Sequence, residues 1–267
     1  MTLMRRWTNG PSWLKNLNNN LIYKEMNYLY GMHPVKEAVE AGRKFEKVML
    51  KQGLEGPQFR ELMELLKEKD IPYQFVPAEK LNHLVHGSHQ GVIAYISEID
   101  YIPFEEMIEN ALAHKAAPLF LILDGVSDVR NFGAIARTAE CAGFDGLILP
   151  AKGGAPINAD AIKTSAGALV RIPTAKVSNL KLPIFYLRDS GFQIVAATEK
   201  AEGFIYDINF KKPTAIVMGS EGNGISNAVL DLCDIDAKIP MAGTIGSLNV
   251  SVAASIFMYE AVRQRNL

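Results

Sequence analysis

The chain has 267 residues, of which 48% are hydrophobic and 21% are charged, as in folded soluble proteins with room for two modest domains. No apolar run approaches the roughly 20 residues that a membrane helix needs, and the two cysteines, Cys141 and Cys233, argue against a disulfide framework. We therefore expect a cytoplasmic protein. The net charge of −1 argues against a broadly basic nucleic-acid binder, so any RNA site must be local.

Residues 1–27 differ in composition from the rest of the chain. They carry four basic residues against a single acid, a net +3 that leaves −4 for the remainder. This basic tail, which we expect to be disordered, lacks the apolar core of a secretory signal peptide. Three interpretations stay open: an arm that contacts RNA phosphates, an organellar-type leader, and an upstream start with Met26 as the true initiator.

Residues 28–99 predict a small α/β unit in which strands and helices alternate. The helices are expected at 34–41, 58–69 and 78–84, and the strands at 47–51, 73–76 and 91–96. His83, His86 and His89 recur every three residues, but no acid or cysteine lies nearby to complete a metal site, so no metal is predicted. His89 is instead expected to end a loop that fixes the domain junction or touches RNA. Residues 100–117 are acidic and helix-prone, and we interpret them as a linker helix.

Residues 118–267 predict a larger α/β domain with a mostly parallel sheet and helices on both faces. The strands are expected at 119–123, 147–149, 173–177, 193–197, 214–218 and 235–239. The helices are expected at 133–142, 159–166, 180–190, 225–232 and 248–265, the last capped by Ser247 or Asn249. Open parallel sheets bind ligands at the carboxyl ends of their strands, which is where the polar loops of this domain fall.

Three glycine-containing stretches occupy those ends: NFGAIART at 131–138, MGSEG at 218–222, and IPMAGTIGSLNVS at 239–251. The chain lacks the G-x-x-x-x-G-K-[ST] loop of nucleotide hydrolases, and the glycines after 218 have the wrong order for a dinucleotide fingerprint. A serine hydrolase is disfavoured because no histidine lies in a catalytic-looking loop of this domain. Each loop by itself could also be an ordinary strand-to-helix turn.

In this order, the three stretches resemble the motifs of the SpoU (TrmH-like) branch of the SPOUT family of RNA 2′-O-ribose methyltransferases. The first motif, N-x-G-x-x-x-R, is matched by Asn131, Gly133 and Arg137. YGMHPVKEAV and GSHQGVIA, which open and close the small unit, resemble the RNA-binding domain of rRNA-modifying members. The resemblance implies S-adenosylmethionine as cofactor, a C-terminal trefoil knot, a homodimer with the last helix in its interface, and a guanosine of large-subunit (23S) rRNA as target.

The resemblance also assigns roles to individual residues. Thr198, Gly219, Ile239, Met241 and Leu248 are expected to line the cofactor pocket. The implied catalytic residues are Arg137, Asn131, Glu221, Ser247 and Asn249. Because an arginine stays protonated, Arg137 is expected to hold a phosphate and stabilise the developing alkoxide. Asn131 is expected to orient Arg137 or the ribose, and Glu221 to anchor Arg137 or accept a hydrogen bond from the substrate. Ser247 and Asn249 are expected to orient active-site groups.

Other interpretations of these residues and of the whole chain stay open. Ile239, Met241 and Leu248 could be plain core residues, Arg137 a surface ion pair, and Asn131 a helix cap. The target could be tRNA instead of rRNA. The protein could also be a non-catalytic RNA-binding assembly factor, or a nucleotide-dependent metabolic enzyme.

Overall fold

In the computed structural model, which describes residues 28–265, the chain forms two α/β units with separate sheets. The predicted basic tail and the last two residues lie outside the described residues. In the small unit the elements are β1 (Tyr28–Tyr30), α1 (Met32–Glu40), β2 (Phe45–Lys51), α2 (Pro57–Glu68), β3 (Tyr73–Val76), α3 (Ala78–Leu84) and β4 (Val92–Ile96). The strand order is β1-β4-β2-β3, and only β2 and β3 are parallel. Helices α1 and α2 cover one face, and α3 covers part of the other.

The small unit differs from the prediction mainly in β1, which the sequence analysis did not assign. Three residues are too short to show a strand period, and β1 exists because it pairs with β4, where Tyr28 faces Tyr95. His89 closes the loop before β4. Its Nε2 lies 2.8 Å from Asn82 Oδ1, and its Nδ1 accepts a hydrogen bond from Gly91 N, so both ring nitrogens are engaged within this unit.

The large unit begins with α4 and is built on six parallel strands. Its elements are α4 (Phe104–His114), β5 (Leu119–Asp124), α5 (Val129–Cys141), β6 (Gly146–Pro150), α6 (Ala159–Thr164), β7 (Thr174–Val177), α7 (Lys181–Asp189), β8 (Gln193–Ala197), β9 (Thr214–Gly219), α8 (Asn227–Leu230), β10 (Ile235–Ala237) and α9 (Val250–Arg265), with short 3-10 helices at Ala168–Val170 and Ile205–Asp207. The strand order is β10-β8-β9-β5-β6-β7. One face packs against α5 and α9, and the other against α4, α7 and α8.

This architecture confirms the predicted parallel sheet with helices on both faces. Two predicted helices begin later than expected. The helix expected at 225–232 is only α8, because Ser226 is extended with ψ of 143°. The last helix starts at Val250 because Asn249 caps it. The threading of the C-terminal segment into a knot stays a prediction. Among the helices of residues 28–265, none is both long and apolar enough to span a bilayer.

The two units are joined by a buried polar cluster. A β-bulge between Phe45 and Lys47 sends the Glu46 side chain towards the large unit. There Lys176 Nζ lies 2.5 Å from Glu46 Oε1, and the Tyr101 hydroxyl donates to the same carboxylate. The side chains of Glu46 and Lys176 are only 8% and 10% exposed. Burial and the Glu46 charge raise the pKa of Tyr101, so its hydroxyl keeps the proton that it donates.

Candidate active site

The site is built around one carboxylate that receives two amide groups from distant parts of the chain. Asn131 Nδ2 donates to Glu221 Oε1 at 2.9 Å, and Asn249 Nδ2 donates to the same oxygen at 2.7 Å. Asn249 Nδ2 also lies 3.1 Å from Asn131 Oδ1, across 118 positions of sequence. The three sequence motifs therefore meet at one point, which we call the amide–carboxylate cluster (Asn131, Glu221 and Asn249).

The start of α5 fixes Asn131. Asp128 caps this helix, because its Oδ1 accepts hydrogen bonds from the backbone nitrogens of Arg130 and Asn131, both at 2.9 Å. Asn131 is thus not the cap, and its side chain is free to reach Glu221. The sequence analysis did not single out Asp128, although an aspartate just before a helical pattern is a capping signal that could have found it.

The glycines in the first two motifs make room for close main-chain contacts. A Cβ at Gly133 would lie 2.1 Å from Thr164 Oγ1, so only glycine lets α6 pack against α5 here. A Cβ at Gly219 would lie 2.1 Å from the Gly224 carbonyl carbon. After Gly219 the chain folds back in a tight turn closed by two hydrogen bonds between Ser220 and Gly224, and this turn carries Glu221. Gly219 therefore shapes the loop that presents the carboxylate.

The third motif supplies both a helix cap and a site residue through one side chain. Asn249 Oδ1 accepts hydrogen bonds from Ser251 N at 2.9 Å and Ser251 Oγ at 2.6 Å, which caps α9. Its amide nitrogen meanwhile points to the cluster. Helix α9 packs on α5, where Ser255 Oγ lies 3.3 Å from Thr138 Oγ1. The orientation of the amide is thus fixed from both of its ends.

A separate small cavity of about 80 Å³ lies at the carboxyl ends of β8, β9 and β10. Four of the five residues predicted to bind the cofactor line it, together with Ser247: Thr198, Ile239, Met241 and Leu248. Gly219 is not among its lining residues. The walls are mainly apolar and include Met218 and Phe257. This chemistry suits the adenosine of a nucleoside-type cofactor, whose ring needs apolar contacts and nearby main-chain polar groups.

The cavity is smaller than the several hundred Å³ typical of pockets for ligands of this size. The loop at 240–249 supplies part of its wall through Met241 and residues 246–248. Every residue in it is exposed, and it has no regular secondary structure. Met241 and Leu248 are 40% and 37% exposed although both are apolar. Such a loosely held segment can shift outward and close over a ligand with its apolar side chains.

Arg137, like the cavity residue Ser247, is a predicted catalytic residue that lies outside the cluster. It follows Asn131 by six residues on α5, a rise of about 9 Å along the helix. Its side chain is exposed, and among residues 28–265 it has no hydrogen-bond or ion-pair partner. The guanidinium is therefore available to an anion from outside the protomer.

Comparison with known proteins decides the family. Residues 118–259 match the model of the SpoU rRNA Methylase family, and residues 28–102 match that of the RNA 2′-O ribose methyltransferase substrate binding domain. The chain belongs to the SpoU/TrmH family of RNA methyltransferases. This confirms the family prediction, and with it the activity at the level of an RNA methyltransferase.

Individual SpoU/TrmH relatives match most of the chain. A putative TrmH family tRNA/rRNA methyltransferase of Staphylococcus haemolyticus is 37% identical over 238 residues, covering 89% of this chain and 96% of the relative. Its Staphylococcus aureus counterpart is 38% identical over 243 residues, covering 91% and 98%. The crystal structure of the SpoU methyltransferase AviRb from Streptomyces viridochromogenes with AdoMet covers 90% of both chains at 26% identity and a TM-score of 0.56. That complex supports the cofactor prediction.

Proposed function

We propose that this SpoU/TrmH protein transfers the methyl group of S-adenosylmethionine to a ribose 2′-hydroxyl of structured RNA, a guanosine of large-subunit (23S) rRNA, in the cytoplasm. The observation that carries the proposal is the amide–carboxylate cluster, which draws all three motifs together beside the predicted cofactor cavity. Only one residue, Leu248, separates Ser247, on the cavity wall, from Asn249 in the cluster. The methyl donor in the cavity and the ribose acceptor at the cluster would therefore meet at the segment 247–249.

The cofactor supplies a methyl group on a positively charged sulfonium, so the protein needs no covalent intermediate. Ile239, Met241 and Leu248 would pack on the adenosine, and Thr198 would offer its polar groups at the cavity edge. Asn131 and Asn249 hold Glu221 through a single oxygen, Oε1, and leave Oε2 without a partner among the described residues. That oxygen is available to accept a hydrogen bond from a ribose hydroxyl and so orient it for in-line attack.

Arg137 would act on the anionic side of the reaction. A guanidinium stays protonated at any physiological pH, so it does not remove the hydroxyl proton. It instead binds an RNA phosphate with two parallel hydrogen bonds and stabilises the negative charge that develops on the 2′-oxygen. Its exposed position and lack of a partner in the described chain suit this role.

We propose a homodimer as the form that completes the site. Helix α9 exposes Val252 and Tyr259, at 47% and 51%, seven residues apart and so on one face. Ser255 lies between them and contacts Thr138, the neighbour of Arg137. An α9-to-α9 contact would therefore cover this apolar face and bring Arg137 of one protomer towards the cofactor cavity of its partner.

The test of catalysis is Arg137→Ala in the full-length protein. We expect transfer to large-subunit rRNA to be lost at saturating cofactor, while calorimetric affinity for S-adenosylmethionine stays within about twofold. A variant that lost cofactor affinity but kept its rate at saturation would contradict the assigned role. Mass spectrometry of the digested RNA must show a 2′-O-methylated nucleoside, since a base-methylated product would refute the ribose assignment.

The target is tested by mapping ribose methylation in rRNA and tRNA from cells that lack the gene. Loss of one methylated guanosine in large-subunit rRNA is the expected result, and loss confined to tRNA would transfer the assignment to the alternative substrate. A non-catalytic assembly factor would bind RNA, but calorimetry would detect no heat of binding for S-adenosylmethionine.

A further inference from the structure

A second cleft, of about 410 Å³, lies between the two units on the side of the small sheet that α3 covers only in part. Tyr28, Lys47 and Tyr95 line it from the small unit. Asn158 and Asp160, at the start of α6, line it from the large unit. None of these residues takes part in the amide–carboxylate cluster or the predicted cofactor cavity. Its volume lies within the range of small-ligand pockets.

One wall of this interdomain cleft is aromatic. The rings of Tyr28 and Tyr95 meet edge to face with centroids 5.9 Å apart, and the ring of Tyr30, which does not line the cleft, lies 6.3 Å from that of Tyr28. All three side chains are partly exposed, and the Tyr28 hydroxyl donates to the Leu84 carbonyl at 3.3 Å. Partly exposed tyrosine rings at a cleft are surfaces on which nucleobases stack.

The same wall carries the positive charge of Lys47, and the Glu46 carboxylate also lines the cleft. Lys47 Nζ lies 5.1 Å from the centroid of the Tyr95 ring and has no ion-pair partner in the described part of the chain. Burial lowers the pKa of Lys47, and the nearby cations Lys80 and Lys176 lower it further, against the opposite effect of Glu46. The Glu46 carboxylate is already engaged by Lys176 and Tyr101. Among the residues that line the cleft, Lys47 is therefore the cation that an entering anion would meet.

The facing wall carries polar groups that can form hydrogen bonds with the edge of a nucleobase. Asn158 Oδ1 is used to cap α6, where it accepts from Ala161 N at 3.0 Å, so its amide nitrogen is the group left to donate. Asp160 is an exposed carboxylate and can accept from an amino group or a ribose hydroxyl. A ligand that suits both walls carries a flat ring, a phosphate, a hydrogen-bond acceptor for Asn158 and a hydrogen-bond donor for Asp160.

We propose that this interdomain cleft binds one unpaired nucleotide of the RNA substrate, with its base against Tyr28 and Tyr95 and its phosphate at Lys47. This inference rests on the proposed function for the identity of the RNA. Because the cleft is walled by both units, a nucleotide held there fixes the RNA relative to the amide–carboxylate cluster. It is a positioning site, separate from methyl transfer, that helps to select which ribose is reached.

The experiment measures binding of a fluorescent 12-nucleotide single-stranded RNA, and of the same strand in a duplex, to the full-length protein by anisotropy at several KCl concentrations. Lys47→Gln should lower the slope of log affinity against log salt by about 0.7, the value for one phosphate contact on a single strand. Tyr28→Leu should weaken single-strand binding about tenfold without changing the slope, and Tyr28→Phe, which keeps the ring, should bind like wild type. The matched control is Lys67→Gln, in the last turn of α2.

Lys47→Gln and Tyr28→Leu should both bind the single strand more weakly than wild type, and their affinity for the duplex should be unchanged. If the salt slope of Lys47→Gln equals that of wild type, or if duplex binding falls in parallel, the proposal is wrong. Should Tyr28→Leu fail to fold in a melting experiment, Lys47→Gln alone decides. Methyl transfer by the wild-type protein is measured in parallel. If the wild type is active but the variants bind RNA as the wild type does, the cleft proposal is wrong and the proposed function stands. If the wild type is inactive but the variants show the expected losses of binding, only the proposed function is wrong.

Discussion

The substitution Gly219→Ala, which adds one methyl group, would test how far the site depends on the path of the main chain. Its Cβ would lie 2.1 Å from the Gly224 carbonyl carbon and 2.2 Å from Ile225 N. Ordinary carbon contacts are about 3.5 Å, so the two strands of this turn must separate by more than about 1 Å. Both obstructing atoms belong to the backbone, and no side-chain rotation relieves the overlap.

We expect Gly219→Ala to cost about 3 kcal/mol, the upper part of the range for over-packing, because the turn between Ser220 and Gly224 must open. Glu221 would move with the turn, away from Asn131 and Asn249. A displacement of about 1 Å at a reacting centre lowers rates by about 100-fold. Urea unfolding gives the first quantity, and single-turnover methyl transfer gives the second.

Gly222→Ala is the matched control for stability. It makes the same change in the same loop, but its Cβ would have no atom within 4 Å. We expect its stability to stay within about 0.5 kcal/mol of wild type. If Gly219→Ala unfolded at the same urea concentration as Gly222→Ala, the close approach of the two backbone segments would not be a constraint, and the explanation of Gly219 would fail.

Three further outcomes follow from other parts of the structure. Lys176→Met should lower stability by about 3–5 kcal/mol in thermal unfolding, since it strands the Glu46 carboxylate at 8% exposure, while adding Glu46→Leu should recover most of the loss. Thiol labelling at pH 8 should modify exposed Cys141 rapidly, and Cys141→Ser should remove that fast phase. Cys233 should react only on unfolding, because burial and nearby carboxylates raise its pKa to about 12. Asn249→Ala should cost about 1 kcal/mol in urea through loss of the α9 cap, and a stability equal to wild type would contradict that cap.

The strands of the large unit were predictable because parallel strands buried on both faces are continuous apolar runs. LFLILD at 119–124 and TAIVMG at 214–219 are such runs, and all but the last residue of the first are buried. Polar loops at the carboxyl ends of neighbouring strands must share one edge of the sheet. The meeting of Asn131, Glu221 and Asn249 follows from that geometry and from the motif order.

Other features depend on contacts that no local pattern contains. Glu46 and Lys176 are 130 positions apart, and each by itself would be expected on the surface; only the bulge at Glu46 and the packing of the two units bury them. The sequence analysis began the first helix of this domain at Gly133 and not at Val129, so it did not place Asn131 and Arg137 on one helix with a rise of about 9 Å between them. The cofactor contact of Gly219 stays a prediction, and the main-chain constraint that its neighbours impose was not foreseen.

The linker segment at residues 100–103 connects the two units and also covers one edge of the large sheet. Ile102 N donates to the Thr174 carbonyl at 3.0 Å, along the outer side of β7, which is the last strand of the six. Open strand edges are where chains add to one another and aggregate, and cover by a neighbouring segment is a common defence. A shortened protein that began at Leu119 would bare this edge. Dissection of the enzyme for crystallisation should therefore keep residues 100–103 with the larger half, even when the smaller half is removed.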